Sequence, residues 1–164
     1  MQNEEAVPKV RRRLTASPSR VFTAFSDVAL VSQWLTPSPE VALTVLEFDF
    51  RVGGAYRFAY DVPGRGTMFV NGIYRTIEPP STIVFSWNIE PPDEHAGVRS
   101  EVTITLTPQR TGTDLLIRHE RLTAPGAAQR HTAGWRGALK QLIVLVSDAG
   151  ESPPGRLSLE GRLE

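Results

Sequence analysis

The sequence predicts an α+β domain in which a curved antiparallel sheet of seven strands wraps around one long C-terminal helix, and three observations carry that expectation. Between residues 41 and 121 hydrophobicity alternates with a period of two, interrupted by glycine- and proline-rich breaks. After Gly126 the period lengthens to 3.6 and holds to about Ala149, roughly 23 residues or about 35 Å of helix. Ahead of the sheet, Ser17-Pro18 and Asp27 carry the side chains that start helices, so two short helices are expected there.

Val7 to Leu14 alternates charged and apolar residues and is expected to form an edge strand. Ser17 then serves as an N-cap with Pro18 at the first helical position, and Val21, Phe22 and Phe25 recur at helical spacing. Asp27 caps a second helix with Leu30, Val31 and Trp34 on its apolar face, which Thr36-Pro-Ser-Pro39 ends. Strands are expected over Leu43 to Arg51, Tyr56 to Val62, Thr67 to Glu78, Thr82 to Ile89, Arg99 to Thr107 and Thr113 to Arg121. Gly53-Gly54, Pro63-Gly-Arg-Gly66, Pro79-Pro-Ser81 and Pro108 to Gly112 supply the turns between consecutive hairpins. On the long helix, His131, Trp135, Ala138, Leu142 and Val146 or Leu145 share one stripe, whereas Arg130, Arg136 and Lys140 occupy positions that can face water. Gly150 is placed to cap its end.

Composition narrows the function classes. A chain of 164 residues suits one buried core, expected over residues 8–150, with a flexible N-terminus over 1–7. Residues 151–164, rich in Pro, Gly and charge, are expected to form a flexible tail whose closing Leu163-Glu164 reads as a cloning remnant. Eighteen basic side chains balance eighteen acidic ones, which argues against a nucleic-acid partner. With no cysteine, neither a disulfide framework nor a thiolate metal site can form, and no apolar signal-like stretch opens the chain, so a cytoplasmic location is expected. The most apolar run, Leu139 to Val146, is too short to span a membrane. His95, His119 and His131 are scattered rather than set at ligand spacing, and no phosphate-binding or dinucleotide fingerprint is present, so neither a metal nor a cofactor is expected.

Strand parity places Tyr56, Phe58 and Tyr60 on one face with Ile83, Phe85, Trp87 and Ile89 and with Val102, Ile104 and Leu106. Their alternates, Arg57, Asp61, Ser86, Asn88, Thr103, Thr105 and Thr107, are expected on the solvent side. One helix about 10 Å wide cannot fill the concavity of a twisted seven-stranded sheet, so a mainly apolar cavity is expected between them. Such concave sites are where small molecules bind.

Several segments in order also resemble a known family. They are Arg13-Leu-Thr-Ala-Ser-Pro-Ser-Arg-Val-Phe-Thr-Ala-Phe25, Gln33-Trp34-Leu-Thr-Pro37, Asp49-Phe-Arg-Val-Gly-Gly54, Gly72-Ile-Tyr74, Val102-Thr-Ile-Thr-Leu106, Gly112-Thr113 and His131-Thr-Ala-Gly-Trp135. Over about residues 8 to 149 the chain resembles the SRPBCC superfamily, and within it the branch named for homology to the activator of the heat-shock-protein-ninety ATPase. The resemblance implies the helix-grip fold shared with START lipid-transfer domains and the birch-pollen allergen. It implies no one reaction, because members include carriers, cyclases, sequestering proteins and co-chaperone domains.

The leading functional expectation is a non-catalytic binding protein holding a small hydrophobic or aromatic molecule. Trp34, Tyr56, Phe58, Tyr60, Phe85, Trp87, Trp135, Ala138 and Leu142 are the expected apolar lining, with Tyr74, His119 and His131 as polar pins. The enzymatic alternative, of cyclase or hydrolase type, uses His119 or His131 to move protons on a ligand held in the cup. A third reading is a chaperone-interaction module. Each candidate also has a plainer role: a packed indole whose N–H finds a partner, or a neutral core histidine held by one hydrogen bond.

Overall fold

In the computed structural model, which describes residues 7–151, the chain runs through ten elements in the predicted order. Strand β1 (Lys9–Leu14) leads into helices α1 (Pro18–Ser26) and α2 (Val28–Trp34). Six strands follow: β2 (Ala42–Phe48), β3 (Ala55–Val62), β4 (Gly66–Glu78), β5 (Thr82–Ile89), β6 (Arg99–Gln109) and β7 (Gly112–Glu120). Helix α3 (Ala127–Glu151) closes the described chain. The expected flexible segments lie outside the described residues except at their inner ends. None of the described helices is long and apolar enough to cross a membrane.

The strands form one antiparallel sheet in the order β1-β7-β6-β5-β4-β3-β2, so the chain's first strand pairs with its last. Two bulges bend it, one in β2 between Val45 and Glu47 and one in β4 between Tyr74 and Thr76. Each inserts an extra residue that sharpens the local twist, and together they curl the sheet into a cup. This is the helix-grip architecture of the sequence expectation, with α3 lying in the concavity. Ser17 caps α1 by accepting from Arg20 N at 3.2 Å, and Asp27 both ends α1 and caps α2 by accepting from Ala29 N at 2.9 Å.

The core fills the concave face. Tyr56, Phe58 and Tyr60 on β3, Ile83, Phe85, Trp87 and Ile89 on β5, and Val102, Ile104 and Leu106 on β6 are all buried, as parity requires. Ser86 departs from its expected solvent-side position and is buried. The reason lies in β4, where the ladder opens between Asn71↔Asn88 and Tyr74↔Phe85. There the Ser86 hydroxyl accepts from Ile73 N at 2.9 Å, while the Tyr56 hydroxyl donates to the Ser86 carbonyl at 2.6 Å. Tyr56 reaches it by lying across its cross-strand partner Gly72, where a Cβ would collide with both the Tyr56 ring and the Ser86 carbonyl.

Two helix expectations also change. Gly150 lies inside the assigned span of α3 instead of just beyond it, a shift at a helix end of the size that glycine permits. Arg130, at a position that can face water, is drawn inward by the Asp93 carboxylate, as described below.

Helix α3 holds two glycines in its first half, and one of them, Gly137, lets the segment between α2 and β2 press against it. A Cβ on Gly137 would coincide with the Pro37 carbonyl oxygen and lie 2.9 Å from its carbon, whereas one on Gly134 would meet only the Pro37 Cβ at 3.8 Å. Gln141 completes this seam by donating from Nε2 to the Thr36 carbonyl at 2.7 Å. One substitution at the two sites therefore has opposite consequences. Gly134→Ala should raise stability by up to about 1 kcal/mol through helix propensity. Gly137→Ala should lose that gain and cost a further ~1–3 kcal/mol as Pro37 is displaced. Urea unfolding of the two variants checks the sign of each.

Candidate ligand-binding cavity

The N-terminal half of α3 stands off the sheet and the C-terminal half does not. Leu139, Leu142 and Val146 pack solidly, whereas a cavity of about 380 Å³ lies beneath Arg130, His131, Gly134, Trp135 and Ala138. Its floor is Tyr60 and Val62 of β3, Met68 of β4 and Trp87 of β5, and one wall is Leu35, Thr36, Pro37 and Val41. The mouth lies between Arg65 of the β3–β4 turn with the first residues of β4, Gly66 and Thr67, and the β5–β6 loop, with Pro92, Asp93 and Glu94.

Two indole–imidazole hydrogen bonds build the inner end. Trp135 on α3 donates from Nε1 to His119 Nδ1 on β7 at 2.9 Å, and Trp87 on β5 donates from Nε1 to His131 Nε2 on α3 at 3.2 Å. These bonds fix opposite tautomers. His119 carries its proton on Nε2 and donates to the Ser100 hydroxyl at 2.8 Å, which in turn donates to the Trp87 carbonyl at 2.8 Å. His131 carries its proton on Nδ1 and donates to the Ala127 carbonyl at 2.8 Å. The two imidazoles meet edge to face at 4.9 Å. Burial holds both pKa values below the ordinary histidine value, that of His119 well below, with the neighbouring His131 adding to the effect there. Both rings are therefore neutral at pH 7, and every ring nitrogen has a partner.

Of the residues expected to form the site, Tyr60, Trp87, His131, Trp135 and Ala138 come together around the cavity. The others pack elsewhere. Trp34 lies fully buried beside Phe25 and donates to the Ala24 carbonyl at 2.8 Å, tying α2 to α1. Tyr56, Phe58, Tyr74 and Phe85 form an aromatic cluster that fills the cup, with Tyr56 and Phe58 centroids 4.6 Å apart and Tyr74 and Phe85 5.7 Å apart. Leu142 belongs to the packed half of α3, and His119 sits behind Trp135, fully buried. Parity sent all of these inward but could not separate a side chain that lines space from one that fills it.

Sequence reasoning missed the wall and the mouth. The signal for the wall was present in Gly137, because a glycine within a helical pattern can mark a close approach. The mouth rests on Arg130, whose Nη1 and Nη2 donate to Asp93 Oδ1 and Oδ2 at 2.7 and 2.8 Å. The same guanidinium donates to His95 Nδ1 at 2.8 Å and to Met68 Sδ at 2.8 Å, and His95 Nε2 donates to the Pro125 carbonyl at 3.1 Å. This fork clamps the β5–β6 loop to α3. The Arg130 hydrogen bonds hold the Asp93 carboxyl down at about 2.

The titration signs follow from these surroundings. A histidine whose pKa falls on folding takes up a proton in the unfolded chain first, so stability is constant above the unfolded value of about 6.5 and drops as pH falls below it. Each such histidine contributes a slope of up to about 1.4 kcal/mol per pH unit. Asp93 acts in a separate window, losing its contribution only as pH falls from 3.8 towards about 2. Urea midpoints should therefore be level from pH 8 to 7 and decline between pH 6.5 and 5, above the window in which Asp93 acts. A midpoint rising over that interval would contradict the neutral assignment.

Comparison with known proteins agrees with this architecture. The family described as "Activator of Hsp90 ATPase homolog 1-like protein" matches residues 15–147. No curated protein matches the chain. Similar solved structures include a Chromobacterium violaceum protein, 32% identical, covering 85% of this chain and 96% of that one with a TM-score of 0.74. The AHSA1 protein of Silicibacter pomeroyi is 24% identical over 87% of this chain and 99% of its own, with a TM-score of 0.76. A protein of Arthrobacter aurescens is 21% identical over 96% of each chain, with a TM-score of 0.77. The last two share the fold, while the family match and the Chromobacterium relative go further: the chain belongs to the activator of Hsp90 ATPase homolog 1-like branch of the SRPBCC superfamily.

Proposed function

We propose that this protein binds a small, mainly apolar, ring-bearing molecule in the cavity beneath the first half of α3. The observation that carries the reading is an open volume of about 380 Å³ bordered by Trp87, Trp135 and Tyr60, between a sheet and a helix whose other facing side chains are buried in the core. Its size falls at the lower end of the usual range for ligand pockets, which suits one or two rings better than a long acyl chain. Aromatic walls offer such a ring a large apolar area with little side-chain freedom to lose.

The histidines support binding more than catalysis. A general base needs a free lone pair within reach of substrate, yet the lone pair on each imidazole accepts an indole N–H, and His119 has no exposure to the cavity. Their role in this reading is to anchor the two indoles that the ligand touches. The family is named for an activator of the Hsp90 ATPase, and that name describes the namesake; in this chain the cavity is the feature with the stronger physical support.

Ala138 lies where the open and packed halves of α3 meet, on the cavity side. Ala138→Phe should place its ring in the open volume and leave the melting temperature within a few degrees of the parent. It should also weaken binding of the neutral probe N-phenyl-1-naphthylamine by at least about tenfold. Overpacking of ~1–3 kcal/mol, together with no probe binding by the parent, would instead mean that helix and sheet close on one another and that the ligand-binding reading is wrong.

A further inference from the structure

The polar groups of the cavity are distributed unevenly from end to end. At the inner end every donor is spent: the Trp87 and Trp135 indoles on the histidines, the Tyr60 hydroxyl on the Leu35 carbonyl at 3.0 Å, and the Thr36 hydroxyl on the Val41 carbonyl at 2.6 Å. A hydroxyl, amide or charge carried to that end would lose its water and find no donor in return. The inner end therefore selects an unsubstituted apolar ring.

At the mouth the charges are differently placed. Arg130 is engaged by Asp93 through two parallel hydrogen bonds, while Glu94 on the same border makes no side-chain hydrogen bond or ion pair with the described residues. Arg65 is the cation left over. It lines the mouth, and its guanidinium makes no hydrogen bond or ion pair with the described residues. Its backbone is set by a tight turn, with Arg65 N donating to the Val62 carbonyl at 2.9 Å and Gly64 and Gly66 at φ +76° and +98° on either side. Outside the mouth a second depression, bordered by Arg65, Glu94, Pro125 and Arg130, leaves room for a polar substituent.

On the basis of the ligand-binding reading above, we infer that the cavity takes a compact amphipathic acid, its ring against Trp87 and Trp135 and its carboxylate at the mouth against Arg65. A guanidinium presents paired N–H donors that match a carboxylate, and a turn that fixes its backbone limits what ordering it costs. The polarity of the site then sets ligand orientation as well as class.

Three probes of one shape separate the possibilities: 2-naphthoate, 2-naphthamide and 2-naphthylmethylammonium, titrated calorimetrically into the parent protein, Arg65→Gln and Arg65→Glu. Naphthoate should bind the parent about tenfold tighter than the amide, a margin that shrinks as salt is raised from 50 to 500 mM. Arg65→Gln should bring the acid down to the amide's affinity, and Arg65→Glu should transfer the preference to the ammonium. The assignment is overturned if the parent prefers the ammonium or the amide, or if the preference for the acid survives Arg65→Gln. Failure of all three probes to bind the parent would overturn the ligand-binding reading and this inference with it, whereas equal binding of all three would overturn only the inference. Because Arg65 is exposed on a turn, circular dichroism of the variants should match the parent.

Discussion

A seven-stranded sheet curled by bulges in β2 and β4 is wider than a single helix, and the main features of the site follow from where that shortage of cover falls. Helix α3 meets α1, α2 and β1, and in its second half Leu139, Leu142 and Val146 close the gap to the sheet with ordinary packing. Toward its N-terminal end it hangs over β3, β4 and β5, where no further element is available to fill the cup. The segment from Leu35 to Val41 covers part of the opening, and it can do so because Gly137 gives it room against the helix.

An uncovered volume beside a twisted sheet tends to collapse unless its walls are held apart. Two indole–imidazole bonds hold them, one joining α3 to β7 and the other joining β5 to α3. Each bond spans the gap between helix and sheet, and each consumes a polar group that would otherwise be exposed in an apolar space. The outcome is a stiff, dry-walled inner end and a polar mouth, with the Arg130–Asp93 fork fastening the loop that borders it. Neutral histidines are part of the design, because a protonated imidazole could not accept the indole N–H.

Much of the fold was legible because periodicity reports burial directly. Alternation in Tyr56, Phe58 and Tyr60, and the 3.6 spacing of Trp135, Ala138, Leu142 and Val146, placed those side chains inward, where they lie. The site was less legible, because facing inward is a property of one strand whereas lining a void depends on what stands opposite. Tyr56 and Phe85 fill the cup because Tyr74 and Phe58 lie against them; Trp87 borders open space because the helix above it carries Gly134 and Ala138. Arg130 looked solvent-facing for the same reason: its partner Asp93 lies 37 positions away in a loop whose path no local pattern fixes. Ser86 was misplaced by a local opening of the β4–β5 ladder, which turned a solvent-side hydroxyl into an acceptor for Ile73 N.

The central claim is that an open, apolar volume lies beside two particular indoles. The chain contains three tryptophans, Trp34, Trp87 and Trp135, so its indole N–H resonances form a three-signal reporter. Trp87 and Trp135 border the cavity, whereas Trp34 is buried against α1 with its N–H on the Ala24 carbonyl. Titrating ¹⁵N-labelled protein with N-phenyl-1-naphthylamine should shift the Trp87 and Trp135 signals together, with one common affinity, and leave Trp34 where it was. Three signals that all stay fixed, or a Trp34 signal that moves as far as the other two, would contradict the account.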